Sequence, residues 1–211
     1  FSDELLINQN KMGKINIHFA RANINHLEKK YNESKENLII ANSIKLLTFK
    51  SDADKRINFA NFICQEYSKN IIDLKPSSHR KNYIFIVGMP RSGSTLVESI
   101  ISVNKNVFDL GESEAFPSSY KKWVNNKDES SLFNIYNKEI KIDFINNQNI
   151  TDKNLFNYSY VPLILKNIKG ARIIHCYRNP LDNVLSIYRS NFTGGYAYSS
   201  SLIDIARVLI N

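Results

Sequence analysis

Tyr83-Ile-Phe-Ile-Val87 runs without a break into Gly88-Met-Pro-Arg-Ser-Gly93-Ser94-Thr95. The first five residues are continuously apolar and rich in β-formers, the signature of a strand buried on both faces of a parallel sheet. From Ser94 to Val103 the spacing becomes helical, with Leu96, Val97, Ile100 and Ile101 expected on the buried side. Two of the chain's seven glycines fall in the turn between strand and helix. Glycines at such a turn let backbone N–H groups converge on an anion. The helix N-terminus adds its partial positive charge. Ser92, Ser94 and Thr95 supply hydroxyls, and Arg91 supplies a charged fork that fits a phosphate or sulfate.

The ATP-binding loop Gly-x-x-x-x-Gly-Lys-[Ser/Thr] has the same glycine spacing. Here Ser94 stands where that loop carries the lysine that reaches the β- and γ-phosphates. No strand ends in an aspartate placed to hold Mg²⁺. A metal-bound triphosphate is therefore poorly served, and a metal-free, doubly anionic group such as a phosphosulfate is well served.

Further along, Arg172-Ile-Ile-His-Cys-Tyr177 reads as a second buried strand, with His175 and Cys176 in the core, and Pro180 to Phe192 as a helix. Between them comes Arg178, followed by Asn179 as a helix cap and Pro180 in the first turn. Arg178 is expected at the C-terminal edge of the sheet, where open α/β sheets bind ligands. Ser186 lies two helical turns on, and the pair makes a second anion clamp. Val107-Phe108 is a short strand, and residues 115–150 read as helix and loop. The alternation predicts an open parallel α/β sheet with right-handed crossovers.

Residues 1–75 have one glycine, Gly13, no proline and helical spacing throughout. Helices are expected over Phe19–Tyr31, around Leu38–Leu47, and after Ser51, where Ile57, Ala60, Cys64, Tyr67 and Ile71 share a face. This segment is either an ordinary helical cap or the end of a helical-repeat array. A polar stretch with a proline, Lys75-Pro-Ser-Ser-His-Arg-Lys-Asn82, divides it from a nucleotide-binding domain over residues 76–211. The helical pattern over residues 201–210 stops in mid-run and Phe1 is not a methionine, so a fragment of a longer polypeptide is expected.

Composition narrows the function classes. With 43% hydrophobic residues the chain has ample material for a core. Twenty-eight basic against 20 acidic side chains give a net charge of +8, which favours anionic ligands. No recognition-helix or base-stacking motif accompanies that charge, so a nucleic-acid partner is not expected. Two cysteines cannot build a disulfide scaffold, and His18, His26, His79 and His175 lack ligand spacing, so no metal is expected. No apolar run spans a membrane, and a cytoplasmic location is expected. Tyr120, Lys121, Lys122 and Trp123 read as a surface helix that borders an acceptor cleft at most. Glu98 reads as a helix-face charge, and Gly194-Gly195 with Tyr196 and Tyr198 as a mobile loop.

Gly88-Met-Pro-Arg-Ser-Gly-Ser-Thr-Leu96 resembles the 5′-phosphosulfate loop of the sulfotransferases that use 3′-phosphoadenosine 5′-phosphosulfate. Arg178-Asn-Pro-Leu-Asp-Asn-Val-Leu-Ser186 resembles their 3′-phosphate motif. Gly111-Glu112 and Thr151-Asp-Lys153 resemble two further segments of the branch holding tyrosylprotein sulfotransferases and bacterial enzymes fused to tetratricopeptide repeats. The resemblance covers residues 83 to about 192, and more loosely 30–50. Ser94 replaces the commoner threonine, Leu155 the usual proline, and Ser113 the glutamate that acts as base in the tyrosylprotein enzymes. The family's later strand and cofactor contacts would lie past Asn211.

The resemblance implies a P-loop-like, three-layer α/β fold with a parallel sheet, incomplete here and preceded by the helical segment. It implies transfer of a sulfuryl group from the nucleotide donor to an acceptor hydroxyl, on peptide tyrosine, carbohydrate or a small molecule, by in-line displacement without metal. Arg91, Ser92, Gly93, Ser94, Thr95, Arg178 and Ser186 then hold the donor. Glu112 is the base, with Glu114 next. Lys153, with Arg91 beside it, stabilises the leaving oxygen. A P-loop kinase or nucleotidase, and a non-catalytic helical-repeat interaction protein, are the alternatives.

Overall fold

A computed structural model describes residues 4–7, 9–68, 81–125, 131–141 and 149–211. In chain order the helices are α1 (Glu4–Ile7), α2 (Lys11–Leu27), α3 (Tyr31–Thr48), α4 (Ala53–Tyr67), α5 (Ser94–Ser102), α6 (Ala115–Asn125), α7 (Leu132–Glu139), α8 (Val161–Asn167), α9 (Pro180–Tyr188) and α10 (Leu202–Ile210). The strands are β1 (Asn82–Gly88), β2 (Val107–Asp109), β3 (Asn149–Asp152) and β4 (Arg172–Cys176). Ile71 and the polar stretch from Lys75 to Arg80 lie outside the described residues. Among those described, no helix is long and apolar enough to cross a membrane.

The chain divides into two compact units, Phe1–Ile57 with Asn179–Asn211, and Asn58–Arg178. In the first, α2 and α3 form a helical hairpin around Ile15, Phe19, Ala22, Leu38 and Ala41. α2 begins well before Phe19, because the Asn10 side chain accepts from Gly13 N–H and supplies the cap. Lys45 is buried in this unit, donates to the Phe192 carbonyl at 2.6 Å, and is pulled below the ordinary lysine range by burial.

α4 starts after Ser51, whose Oγ accepts from Ala53 N–H. Its buried positions are Ala53 and Ile63, and Cys64 is exposed, one residue off the expected face. Phe59, Ile63 and Tyr67 pack with the core of the second unit.

The second unit holds a four-stranded, all-parallel sheet in the order β2-β3-β1-β4, flanked by helices. This is the expected α/β class. Three sequence readings need correction. β3 falls at the end of a region read as helix and loop. It holds a single aliphatic residue, Ile150, and Asp152 sits in its last position, so no apolar run marks it. Ladder bonds to β2 and β1 on either side make it a strand. β4 pairs with β1 along one edge, and only Cys176 of its five residues is buried; His175 is exposed, not core. In α5 the buried residues are Ser94 and Glu98, while Leu96 and Ile100 are 66% and 65% exposed. Val97 and Ile101 are half-buried, so apolarity alone marked the inward side of that helix only in part.

The core beneath the sheet is aromatic. Phe85, Phe116, Tyr136 and Tyr160 meet edge-on or tilted at centroid distances of 5.5–5.9 Å. Gly88 closes β1 opposite Cys176, at φ +141°, with the β4 backbone close against it.

Candidate active site

All four parallel strands end on one edge of the sheet, and each releases a candidate residue there. β1 leads into the loop Met89–Gly93, β2 into Glu112, β3 into Lys153 and β4 into Arg178.

The loop is conformationally costly. Gly93, the N-cap of α5, sits at φ +96°, and Arg91 at φ +66° is a non-glycine residue in left-handed backbone. Such outliers cluster at ligand clamps. Gly93 O accepts from Val97 N–H at 3.1 Å, which starts the helix, and Ser94 is buried beneath it. Ser92 Oγ is buried with no hydrogen-bond partner. A native protein rarely leaves a buried hydroxyl unsatisfied. Arg91, Gly93 and Thr95 are exposed.

Arg178 reaches this loop. Its Nη1 donates to the Arg91 carbonyl at 3.4 Å. Beyond it, Asn179 caps α9 as expected, its Oδ1 accepting from Leu181 and Asp182 N–H. Ser186 is half-buried on α9 and belongs to the first compact unit.

Glu112 and Lys153 are brought together by an extension of the β2–β3 ladder. Leu110 N–H donates to Thr151 O at 3.0 Å and Lys153 N–H to Gly111 O at 2.9 Å. Their side chains pair, with Lys153 Nζ 3.0 Å from Glu112 Oε1. Burial alone would lower the Lys153 ammonium, but its bonds to Glu112 and Glu98 hold it above the ordinary value.

Glu98 is the residue that the sequence reading passed over. It is buried, and its Oε2 lies 3.2 Å from Lys153 Nζ. Two signals were available. Glu98 is the one charged residue of α5, and it stands a helical turn beyond Ser94, on the same face. Asp109, at the end of β2, was also missed, and with Asp152 at the end of β3 it corrects the expectation that no strand ends in an aspartate. Asp109 accepts from Gly111 N–H at 2.7 Å, Ser102 Oγ at 3.2 Å and Thr151 Oγ1 at 3.3 Å.

Glu114 takes a different place. Its Oε1 accepts from Asn154 Nδ2 at 3.1 Å, and the same amide donates to Ser113 O at 2.8 Å. Glu114 borders a cavity of about 570 Å³, with Tyr120, Lys121, Val124 and Tyr160 among its other walls. Tyr120 also packs on Phe59 and Tyr160, so the surface helix and the cleft wall are one element. Below this region Asp152 is almost completely buried. It accepts from Tyr136 OH at 2.9 Å, Asn154 N–H at 3.1 Å and Asn157 Nδ2 at 3.1 Å.

The chain is 28% identical to an uncharacterized protein of Aquifex aeolicus (strain VF5) over 200 residues, an alignment covering 84% of this chain and 26% of that protein. The chain thus spans about a quarter of that relative's length. No solved structure matches it significantly. A family model described as the sulfotransferase domain matches residues 81–198, the span from the start of β1 to just beyond α9 that carries the loop, both acidic segments and both arginines. With more than half its length matched, the chain belongs to the sulfotransferase family.

Proposed function

We propose that the protein takes 3′-phosphoadenosine 5′-phosphosulfate as donor and passes its sulfuryl group to an acceptor hydroxyl. The observation that carries this reading is the hydrogen bond from Arg178 to the Arg91 carbonyl. It joins two cationic segments, separated by 87 positions in sequence, at one sheet edge. A nucleotide with anionic groups at both ends fits two such segments better than a single phosphate does. The unsatisfied Ser92 hydroxyl supports the same assignment.

In this reading Arg91, Ser92, Gly93, Ser94 and Thr95 hold the 5′ end, and Arg178 takes the 3′-phosphate. The donor supplies an activated sulfur–oxygen bond. Lys153 offers its ammonium to the oxygen on which charge develops. Glu112 takes the proton of the acceptor hydroxyl once Lys153 has turned from it toward the donor. The cavity beside Glu114 receives the acceptor.

Calorimetry with adenosine 3′,5′-bisphosphate in the absence of metal tests this. The protein is expected to bind it, and Arg91→Ala and Arg178→Ala each to weaken binding by about 10- to 100-fold, the cost of a charged hydrogen bond. Ser92→Ala discriminates further. It removes an unsatisfied buried hydroxyl, so stability should hold or rise while affinity falls. No binding by the wild type, or binding of Mg-ATP alone, defeats the proposal.

A further inference from the structure

Glu112 stands between two carbonyls, each held from the β3 side. Lys153 N–H donates to Gly111 O at 2.9 Å, and Asn154 Nδ2 donates to Ser113 O at 2.8 Å. The first bond extends the backbone ladder, and Gly111 then turns the chain at φ +62°. The second comes from a side chain and carries the pairing on past that turn. Asn154 is 4% exposed, and a buried amide is costly unless its polar atoms are engaged. They are engaged. Nδ2 also donates to Glu114 Oε1 at 3.1 Å, and Oδ1 accepts from Phe156 N–H at 3.1 Å. The backbone of Asn154 is fixed as well. Its N–H donates to Asp152 Oδ1 at 3.1 Å, and its carbonyl accepts from Asn157 N–H at 2.9 Å. Asp152 in turn is tied to α7 through the Tyr136 hydroxyl. The amide is thus firmly mounted. The segment it holds is looser, because Glu112 and Glu114 are both exposed and a Cβ on Gly111 would meet nothing within 4 Å. A glycine pivot in open space gives the Glu112 backbone room to swing away.

We propose that Asn154 is a positioning residue whose amide clamps Ser113 and Glu114, so that Glu112 faces Lys153 and Glu114 stays on its cavity wall. The catalytic meaning of the clamp rests on the sulfuryl-transfer reading above. One amide then sets both ends of the acceptor's path. The base is held with its Oε1 3.0 Å from Lys153 Nζ, and the carboxylate two residues on borders the cavity. The two tasks need two N–H donors on one short arm. Aspartate offers none, serine offers one O–H, and glutamine is a methylene longer.

The wild type supplies one test. Both Nδ2 protons of Asn154 should exchange with solvent at least about tenfold more slowly than those of exposed asparagines. Exchange at the exposed rate overturns the clamp. For the positioning role the reporter is Lys153, whose ammonium is held above its ordinary value in part by Glu112. Its titration is followed by NMR of ¹³C-labelled lysine, the signal being the one lost in Lys153→Arg. Glu112→Gln sets the reference fall. Asn154→Ala should reproduce most of that fall, and so should Asn154→Leu, which keeps the shape and is the variant to use if alanine fails to fold. Glu114→Gln keeps an oxygen for the Asn154 amide and should leave Lys153 unmoved. A merely structural asparagine would lower stability and leave the Lys153 titration where it is, and that result sinks the role. A Glu112→Gln protein with no fall sinks it too, since there is then no pair to position. Calorimetry with adenosine 3′,5′-bisphosphate keeps the two readings apart. A wild type that binds none defeats the donor assignment, while the lysine titration decides the clamp by itself.

Discussion

Gly88→Ala is expected to be the most damaging single-methyl change in the sheet, costing about 3–5 kcal/mol of stability. A Cβ at this position would stand 2.5 Å from the backbone oxygen of Cys176, a distance real Cβ atoms essentially never show. The obstacle is backbone, not a side chain that can swing aside, so β1 and β4 must move apart where they are paired. The φ of +141° adds conformational strain for any residue with a side chain. Gly93→Ala is the control. Its φ of +96° imposes conformational strain too, but nothing lies within 4 Å of the added Cβ, so the loss should be only about 1–2 kcal/mol. Urea denaturation of the three proteins checks the ranking. Equal midpoints for the two variants would show that close strand approach is not what makes Gly88 necessary.

Asp152→Asn should change how stability depends on pH by an amount on the order of 4 kcal/mol, at roughly 1.4 kcal/mol per pKa unit. Burial pushes the Asp152 carboxyl from 3.8 up to about 7, against the opposing pull of bonds from Asn154, Tyr136 and Asn157. Between those two values the folded chain holds a proton that the unfolded chain has released. The stabilisation is therefore complete below the unfolded value and is lost as pH rises towards about 7. Above that, the fold carries a buried anion. Asparagine has no proton to lose. Its oxygen can accept from Asn154 N–H and Asn157 Nδ2, and its amide can donate to the Tyr136 hydroxyl. The stability of Asp152→Asn relative to wild type should thus rise between pH 3.8 and about 7 and level off above that. Parallel curves across that range would mean that Asp152 titrates normally.

The parts of this fold that the sequence made legible are those where the local signals agree. β1 is apolar because both its faces are covered, and its loop shows itself through glycine, arginine and hydroxyls together. β3 was invisible for the opposite reason. Its strand state comes from two neighbouring ladders, and its last residue, Asp152, is a buried acid whose partners come from the loop after the strand and from α7. Glu98 was misread because an apolar rule was applied to a helix whose inward side faces polar groups, while Leu96 and Ile100 point outward. Glu112 and Lys153 were expected in separate roles, as base and as partner of the leaving oxygen, and not as a pair. Their contact depends on the register between β2 and β3, which no local pattern encodes.

The all-parallel arrangement gives the sheet two unequal rims. The turns that leave the strands carry Arg91, Glu112, Lys153 and Arg178. The turns that enter β2 and β4 carry none of the residues assigned above to sulfuryl transfer. Insertions at the entering rim should therefore be tolerated better than insertions at the leaving one.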